Sequence, residues 1–167
     1  LYRLGWHISE SLNVRDVAQR ALVEICEALG GPQGLIAVYD PQSKALELVA
    51  YSGPGDAAKV SQLQLGYGLT GWVAERRERA LVDDVRHDAR WKNVPGLDDR
   101  ERSALSVPLI SRSALAGVLT LTSERAVSFS PDHLRLMESA ATTIATAIIN
   151  ARLFGRAQRR AREQAVV

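Results

Sequence analysis

The sequence predicts an α+β fold in which helices lie on one face of an antiparallel sheet. Two observations carry this prediction. Both ends of the chain place apolar residues at helical spacing, whereas the middle holds short apolar runs separated by turns. With 167 residues, of which 46% are hydrophobic and 24% are charged, the chain is long enough for one domain with its own core.

Two helices are predicted at the N-terminal end. Leu4, Ile8 and Leu12 are spaced four apart and give the first helix one apolar stripe. Asn13 is expected to cap a second helix, because its side-chain oxygen can accept a hydrogen bond from a backbone N–H of the first turn. The glycines and proline at 30–32 are expected to end that helix.

The middle of the chain predicts strands that are interrupted by one short helix and one polar loop. The turn at 41–44 joins the first two strands, and Thr70 is expected to cap the short helix. Residues 83–103 are highly polar and predict a long loop or a loop with one helical turn. Pro108 lacks an N–H, so its strand is expected to be irregular there or to leave Pro108 on a non-bonded side. The predicted strands are 35–39, 46–50, 63–67, 80–82, 104–110 and 117–122.

A single long helix is predicted at the C-terminal end. Ser130 can cap it, Pro131 fits its first turn, and Asp132 lies next to the positive end of the helix dipole. The pattern continues to about residue 164, so the helix would measure roughly 50 Å at 1.5 Å per residue. Such a helix must project from the domain or pair with another helix. Its apolar positions are spaced three and four apart at Leu134, Met137, Ala141, Ile144, Ile148 and Ala151.

Charge and cysteine content restrict the function and the compartment. The formal net charge is +2, and residues 131–167 hold six arginines against three acidic residues, so the rest of the chain is close to neutral. That distribution argues against nucleic-acid binding. The lone Cys26 excludes an intrachain disulfide and fits a reducing cytoplasm. No signal peptide or membrane segment is predicted, and the initial Leu suggests a fragment of a longer protein.

Several segments together resemble a GAF domain over about residues 1–155. None of them is diagnostic alone, but their order and separation are specific. They are GYGLTGWVA at 66–74, LVDDV at 81–85, DAR at 88–90, SALSVPL at 103–109, GVL at 117–119, the pair Phe129 and Asp132, and INARLF at 149–154.

This resemblance implies a six-stranded antiparallel sheet with the terminal helices on one face and a small-molecule pocket on the other. Residues 66–103, here called the roof, would cover that pocket. The resemblance also implies a non-enzymatic sensory module of a bacterial signalling protein, such as a histidine kinase of a two-component system. A homodimer through the first and last helices is expected, and residues 156–167 would begin a connector to an output domain. The ligand is not identified by the sequence.

Eight residues are candidates for the pocket. The roof holds aromatic side chains in a polar setting, and Ser106 and Thr120 alternate with leucines that would pack on the helices. Alternatives remain open for some of them: Trp72 as ordinary core, Trp91 as a loop anchor and Asp84 as a helix cap. The candidates are Tyr67, Trp72, Asp84, Arg90, Trp91, Ser103, Ser106 and Thr120.

Other functions are weighed against this hypothesis. A free methionine-(R)-sulfoxide reductase is the main enzymatic alternative, but its chemistry needs a resolving cysteine besides Cys26. His87 lies among aspartates without a recognisable metal-ligand spacing, and the glycines at 66–71 lack the βαβ context of a dinucleotide loop. The residues around Phe129 depart from the cyclic-nucleotide signature of the family. A ligand-free dimerisation module is the third alternative.

Overall fold

The computed structural model describes residues 10–55, 60, 63–94, 97 and 100–165. The first predicted helix, with Leu4 and Ile8, lies almost entirely outside these residues. Helix α1 spans Glu10–Ala28 without a break, so the prediction that Asn13 caps a separate helix is wrong. No glycine or proline interrupts the chain at that point, and helical hydrogen bonding continues through Asn13. The helix ends as expected, where Gly31 donates to the carbonyl of Cys26 at 2.8 Å.

Six strands form one antiparallel sheet, which confirms the predicted fold class. Their spatial order is β3-β2-β1-β6-β5-β4. The N-terminal and C-terminal halves of the chain therefore meet at the central pair β1 and β6. The strands are β1 (Gln33–Asp40), β2 (Ala45–Ser52), β3 (Leu63–Gln64), β4 (Ala80–Val82), β5 (Ser103–Ser111) and β6 (Ala114–Ser123).

Pro108 lies beyond the short ladder between β4 and β5. Strand β4 pairs with β5 only at Ala104, Leu105 and Ser106, so Pro108 lies beyond that ladder. The register between β5 and β6 then shifts after Leu109. The missing N–H of proline is therefore accommodated where one neighbouring strand has already ended.

Two short helical elements belong to the roof. Helix α2 spans Gly68–Arg76 and begins after Tyr67, which makes no side-chain capping bond. Thr70 lies inside the first turn and directs its hydroxyl to Thr120 instead, so the prediction that Thr70 caps this helix is wrong. A 3₁₀ helix at Val85–His87 supplies the single helical turn predicted in the polar loop.

Helix α3 spans Pro131–Ala165, a length of 35 residues or about 52 Å. Its start is fixed by a reciprocal pair: the His133 N–H donates to Ser130 Oγ at 3.2 Å, and the Ser130 N–H donates to His133 Nδ1 at 3.1 Å. This arrangement resembles a capping box with histidine in the place of glutamate. Gly155 is helical and buried, so the helix continues through it.

The sheet separates two hydrophobic cores because strand residues alternate between its faces. On one face, Leu119 and Leu121 of β6 join buried residues of α1 and α3. On the other face, Leu35 of β1 and Val118 of β6 join α2 and the roof. The terminal helices and the roof thus lie on opposite faces, as predicted.

Candidate functional site

A cavity of about 320 Å³ lies between the sheet and the roof. Four residues of the central strands line it from the sheet: Gly34, Leu35, Thr120 and Thr122. The remaining lining residues come from the end of β2, the segment before α2, the first turn of α2 and the coil around residues 91–101. The central strand pair therefore forms one wall of the cavity, and the end of β2, the segment before α2 and the roof form the others.

Glycines shape the backbone between β3 and α2. Gly66 has φ +81° and Gly68 has φ +73°, conformations that favour glycine. The Gly66 N–H donates to the carbonyl of Gly71 at 2.8 Å. This tight loop brings Tyr67 and Leu69 beside the cavity, so these glycines act as turn formers.

Three hydroxyl groups form a chain at the sheet wall. Thr120 Oγ1 lies 2.7 Å from Ser106 Oγ and 2.9 Å from Thr70 Oγ1. Ser106 is fully buried behind Thr120, whereas Thr70 and Thr120 line the cavity. Thr122 also lines it, is only 8% exposed, and makes no side-chain hydrogen bond within the described part of the chain. The sheet wall thus offers hydroxyl groups to a ligand.

Aromatic rings supply much of the remaining lining. Tyr51, Tyr67 and Trp91 all contribute to the cavity. The Tyr51 hydroxyl donates to the carbonyl of Pro54, and Trp91 Nε1 donates to Asn93 Oδ1 at 3.1 Å. The polar atoms of Tyr51 and Trp91 therefore have partners within the protein, which leaves their ring faces for apolar contact.

Arg90 is held away from the cavity by two neighbours. Its Nε and Nη2 atoms donate to the carboxylate of Asp88 at 2.9 and 2.6 Å. The guanidinium carbon lies 4.6 Å from the ring centre of Trp72, within the range of a cation–π contact. The hydrogen bond from Arg90 lowers the pKa of Asp88, and the same bond raises the pKa of Arg90. Arg90 and Trp72 therefore fasten the polar loop of the roof to α2.

Asp84 has a comparable structural role at the 3₁₀ helix. It accepts from the backbone N–H of Arg86 at 3.1 Å and from the Arg86 side chain at 3.1 and 2.8 Å. Arg102 Nη2 lies 3.8 Å from the same carboxylate. The hydrogen bond from Arg86 is the main reason that the pKa of Asp84 lies well below its usual range. The geometry favours the alternative that Asp84 caps the 3₁₀ helix.

Three of the eight candidate residues line the cavity, namely Tyr67, Trp91 and Thr120. Sequence reasoning assigned Ser106 to the correct face, but Thr120 covers it. Ser103 is turned toward the 123–128 turn, where its hydroxyl donates to the carbonyl of Arg125 at 2.6 Å. The five candidates that do not line the cavity are Trp72, Asp84, Arg90, Ser103 and Ser106.

Some lining residues were not selected from the sequence. Thr122 shares the strand face of Thr120, so the alternation of β6 could have identified it. Strand β2 has a register irregularity opposite residues 36 and 37 of β1, and the β2 residues that follow it change face. Simple alternation along β2 therefore could not assign Tyr51 to the cavity. Leu97 depends on the folding of the roof coil, for which no sequence pattern exists.

Two further observations concern metals and membranes. Among the residues that the structure describes, no three His, Cys, Asp or Glu side chains are close enough together to hold a metal ion. His87 Nε2 lies 4.0 Å from Asp84 Oδ2 and is largely exposed. Within the same described residues, no helix is long and apolar enough to cross a membrane.

The fold and the cavity define a class of ligand-binding regulatory domain. The chain belongs to the GAF domain family, whose model matches residues 11–149. Helix α3 continues beyond that match to Ala165.

Solved structures support the same assignment of the fold. The GAF domain of a phosphoenolpyruvate-protein phosphotransferase from Coxiella burnetii is 26% identical, with a TM-score of 0.74 and 86% of each chain covered. The second GAF domain of DevS from Mycobacterium smegmatis is 23% identical, with a TM-score of 0.66, covering 88% of this chain and 98% of that one.

An enzyme has the same fold. A type II free methionine-R-sulfoxide reductase from Thermoplasma acidophilum is 18% identical, with a TM-score of 0.73, covering 84% of this chain and 95% of that one. At this identity the likeness concerns the fold alone. Among curated proteins, sequence comparison finds no significant match.

Proposed function

We propose that this GAF domain is the sensory module of a bacterial signal-transduction protein and binds a small molecule between its sheet and roof. The observation that carries the proposal is the cavity of about 320 Å³, which is within the size range of small-molecule sites. Its lining combines aromatic rings with a few hydroxyl groups, as such sites usually do. An open cavity also favours ligand binding over the alternative of a ligand-free dimerisation module.

Strand β6 offers a direct connection from the cavity to the terminal helices. Thr120 and Thr122 line the cavity, and the intervening Leu121, which is fully buried, belongs to the core shared with α1 and α3. Arg152 of α3 also donates to the carbonyl of Tyr39 in β1 at 3.0 Å. A ligand that displaces β6 would therefore change the packing of α3, which can switch between discrete arrangements.

The test fills the cavity with a bulky side chain. Val94 lines the cavity, whereas Val127 lies in a turn and is 68% exposed. The wild type, Val94→Trp and Val127→Trp are screened by saturation-transfer NMR against a mixture of neutral, anionic and cationic fragments. Some fragments are expected to bind the wild type and Val127→Trp but not Val94→Trp. The proposal fails if no fragment shows this pattern while circular dichroism shows both variants to be folded.

The proposal includes a homodimer through the first and last helices, a cytoplasmic location and an output domain such as a histidine kinase. Three large apolar side chains on α3 support an interface there: Leu136, Leu153 and Phe154 are 43%, 54% and 50% exposed. Apolar side chains along a long helix are the usual means of pairing two helices.

We also propose that the domain is not an enzyme. The lone cysteine of the sequence, Cys26, is 6% exposed and lies in the core between the sheet and the terminal helices, on the face opposite the cavity. Burial raises the pKa of its thiol, and a protonated buried thiol is a poor nucleophile. If the domain reduces free methionine-R-sulfoxide and Cys26→Ser abolishes that activity, this proposal is wrong.

A further inference from the structure

We propose that the cavity selects a neutral, mainly apolar molecule of the size of a fused bicyclic ring, bearing one hydroxyl or carbonyl group. The inference rests on the proposed function, since it names the chemical class of the ligand for the same cavity. It follows from the size of the cavity, from the pairing of the charged groups near it, and from the hydroxyl groups at its sheet wall.

The size of the cavity indicates how large a part of a ligand it can enclose. A cavity of roughly 150 Å³ is large enough for benzene, and this one measures about 320 Å³. Two fused rings with one substituent fill such a space. Tyr51, Tyr67 and Trp91 present aromatic surface to it, and Leu35, Leu69 and Leu97 present aliphatic surface.

Three arginines of the roof lie next to aspartates and outside the cavity, so they do not serve an anionic ligand there. Arg86 is bound to Asp84, and Arg90 is bound to Asp88 and lies over Trp72. Arg102 lies 3.8 Å from Asp84. None of these three arginines is among the described residues that line the cavity.

Two charged residues line the cavity within the described part of the chain. In the described lining they are Lys92, which is exposed, and Glu101, one of each sign. Glu101 already interacts with other groups of the protein, and Lys92 offers a single exposed ammonium. A phosphate or carboxylate entering this cavity would therefore lose more of its water than one exposed ammonium replaces, and that loss is unfavourable. The lining therefore discriminates against ions.

The sheet wall provides the polar anchor. Three hydroxyls carry three protons, and the two hydrogen bonds of the Ser106, Thr120 and Thr70 chain use only two of them. A second group, Thr122, is more than nine-tenths buried, lines the cavity and has no hydrogen-bond partner in the described structure. A ligand hydroxyl or carbonyl that reaches the Thr122 hydroxyl would supply the hydrogen bond that no described residue makes to it.

Three probes with the same bicyclic ring test the charge preference: 2-naphthol, naphthalene-2-sulfonate and 2-naphthylmethylamine as its cation. Isothermal titration calorimetry at neutral pH measures the dissociation constant of each. We expect 2-naphthol to bind at least tenfold more tightly than either ion, and Val94→Trp to abolish its binding. If an ion binds as tightly as 2-naphthol or more tightly, and Val94→Trp abolishes that binding, the inference is wrong. The proposed function then still stands.

A conservative variant tests the anchor. Thr122→Val keeps the shape of the side chain and removes its hydroxyl, so the affinity for 2-naphthol should fall about two- to tenfold. Thr143→Val, at an exposed position on α3, is the matched control and should leave the affinity unchanged. An unchanged affinity in Thr122→Val overturns the assignment of Thr122 as the anchor.

The screen and the titrations together separate this inference from the proposed function. If 2-naphthol fails to bind while fragments of the earlier screen do, the ligand class is wrong. If none of them bind, the proposed function fails as well.

Discussion

Thr120 is the residue at which the sheet, the roof and the cavity meet. Its hydroxyl bonds Ser106 behind it in β5 and Thr70 in α2. The alternation of β6 predicts that Thr120 faces away from the helices, and that is correct. The same alternation assigns Ser106 to this face but cannot show that Thr120 covers it. Side-chain periodicity determines the face of a strand residue, whereas its depth depends on neighbours from other strands.

Removing the Thr120 hydroxyl should destabilise the domain. Thr120→Val leaves the fully buried Ser106 hydroxyl without a partner, and we expect the free energy of unfolding to fall by about 1–3 kcal/mol. Urea unfolding measures the change. Adding Ser106→Ala to this variant removes the unpaired group and should restore part of the loss. A Thr120→Val variant as stable as the wild type would show that the hydroxyl chain contributes nothing to stability.

At the scale of elements, the sheet was easier to predict than the roof. The short strand Ala80–Val82 was predicted with its observed bounds, because apolar residues there are flanked by charged ones. The roof owes its shape to side-chain contacts such as Arg90 over Trp72. Such contacts join residues whose types are compatible with many other arrangements, so a single sequence cannot select among them.

The roof clamp of Asp88, Arg90 and Trp72 should make the domain sensitive to acid. The hydrogen bond from Arg90 lowers the pKa of Asp88 in the folded protein. The ion pair therefore stabilises the fold above the unfolded pKa of about 3.9, and this contribution is lost as the pH falls through the folded pKa. The melting temperature of Asp88→Asn should lie below that of the wild type at pH 7, and the difference should shrink below about pH 4.

Circular dichroism melts at intervals from neutral to acidic pH measure this effect. The matched control is Asp83→Asn, since Asp83 is exposed and lies just before the 3₁₀ helix. Its difference from the wild type should stay constant over the same interval. A difference for Asp88→Asn that does not change with pH would show that the clamp does not depend on the carboxylate.

At the scale of the whole molecule, the length of α3 was predicted closely, with an end near residue 164 against the observed Ala165. Its regular spacing of apolar residues and the absence of proline after its first turn made that possible. The cavity could not be predicted as a shape, because its walls come from β1, β2, β6, α2 and the roof coil. A space between elements depends on how they all pack, and no local pattern encodes it.

The exposed apolar side chains of α3 allow the proposed dimer to be tested on the intact chain. Sedimentation velocity over a range of concentrations should show a dimer for the wild type. Leu136→Glu combined with Leu153→Glu should raise the dissociation constant roughly tenfold or more, because charges replace buried apolar contacts. Val127→Glu adds a charge at an exposed turn and should leave the dimer intact. A wild type that stays monomeric at every concentration would contradict the dimer.

Because α3 is long, a small rotation at its start produces a large displacement at its end. It is a single helix of 35 residues, about 52 Å from end to end, and its N-terminal half packs on the sheet. A tilt of about 5° around its first turn displaces the far end by roughly 4–5 Å over that length. This displacement is close to the spacing of about 4.8 Å between adjacent strands. A small angular change at the start of α3 thus becomes, at Ala165, a movement as wide as the separation of two neighbouring strands.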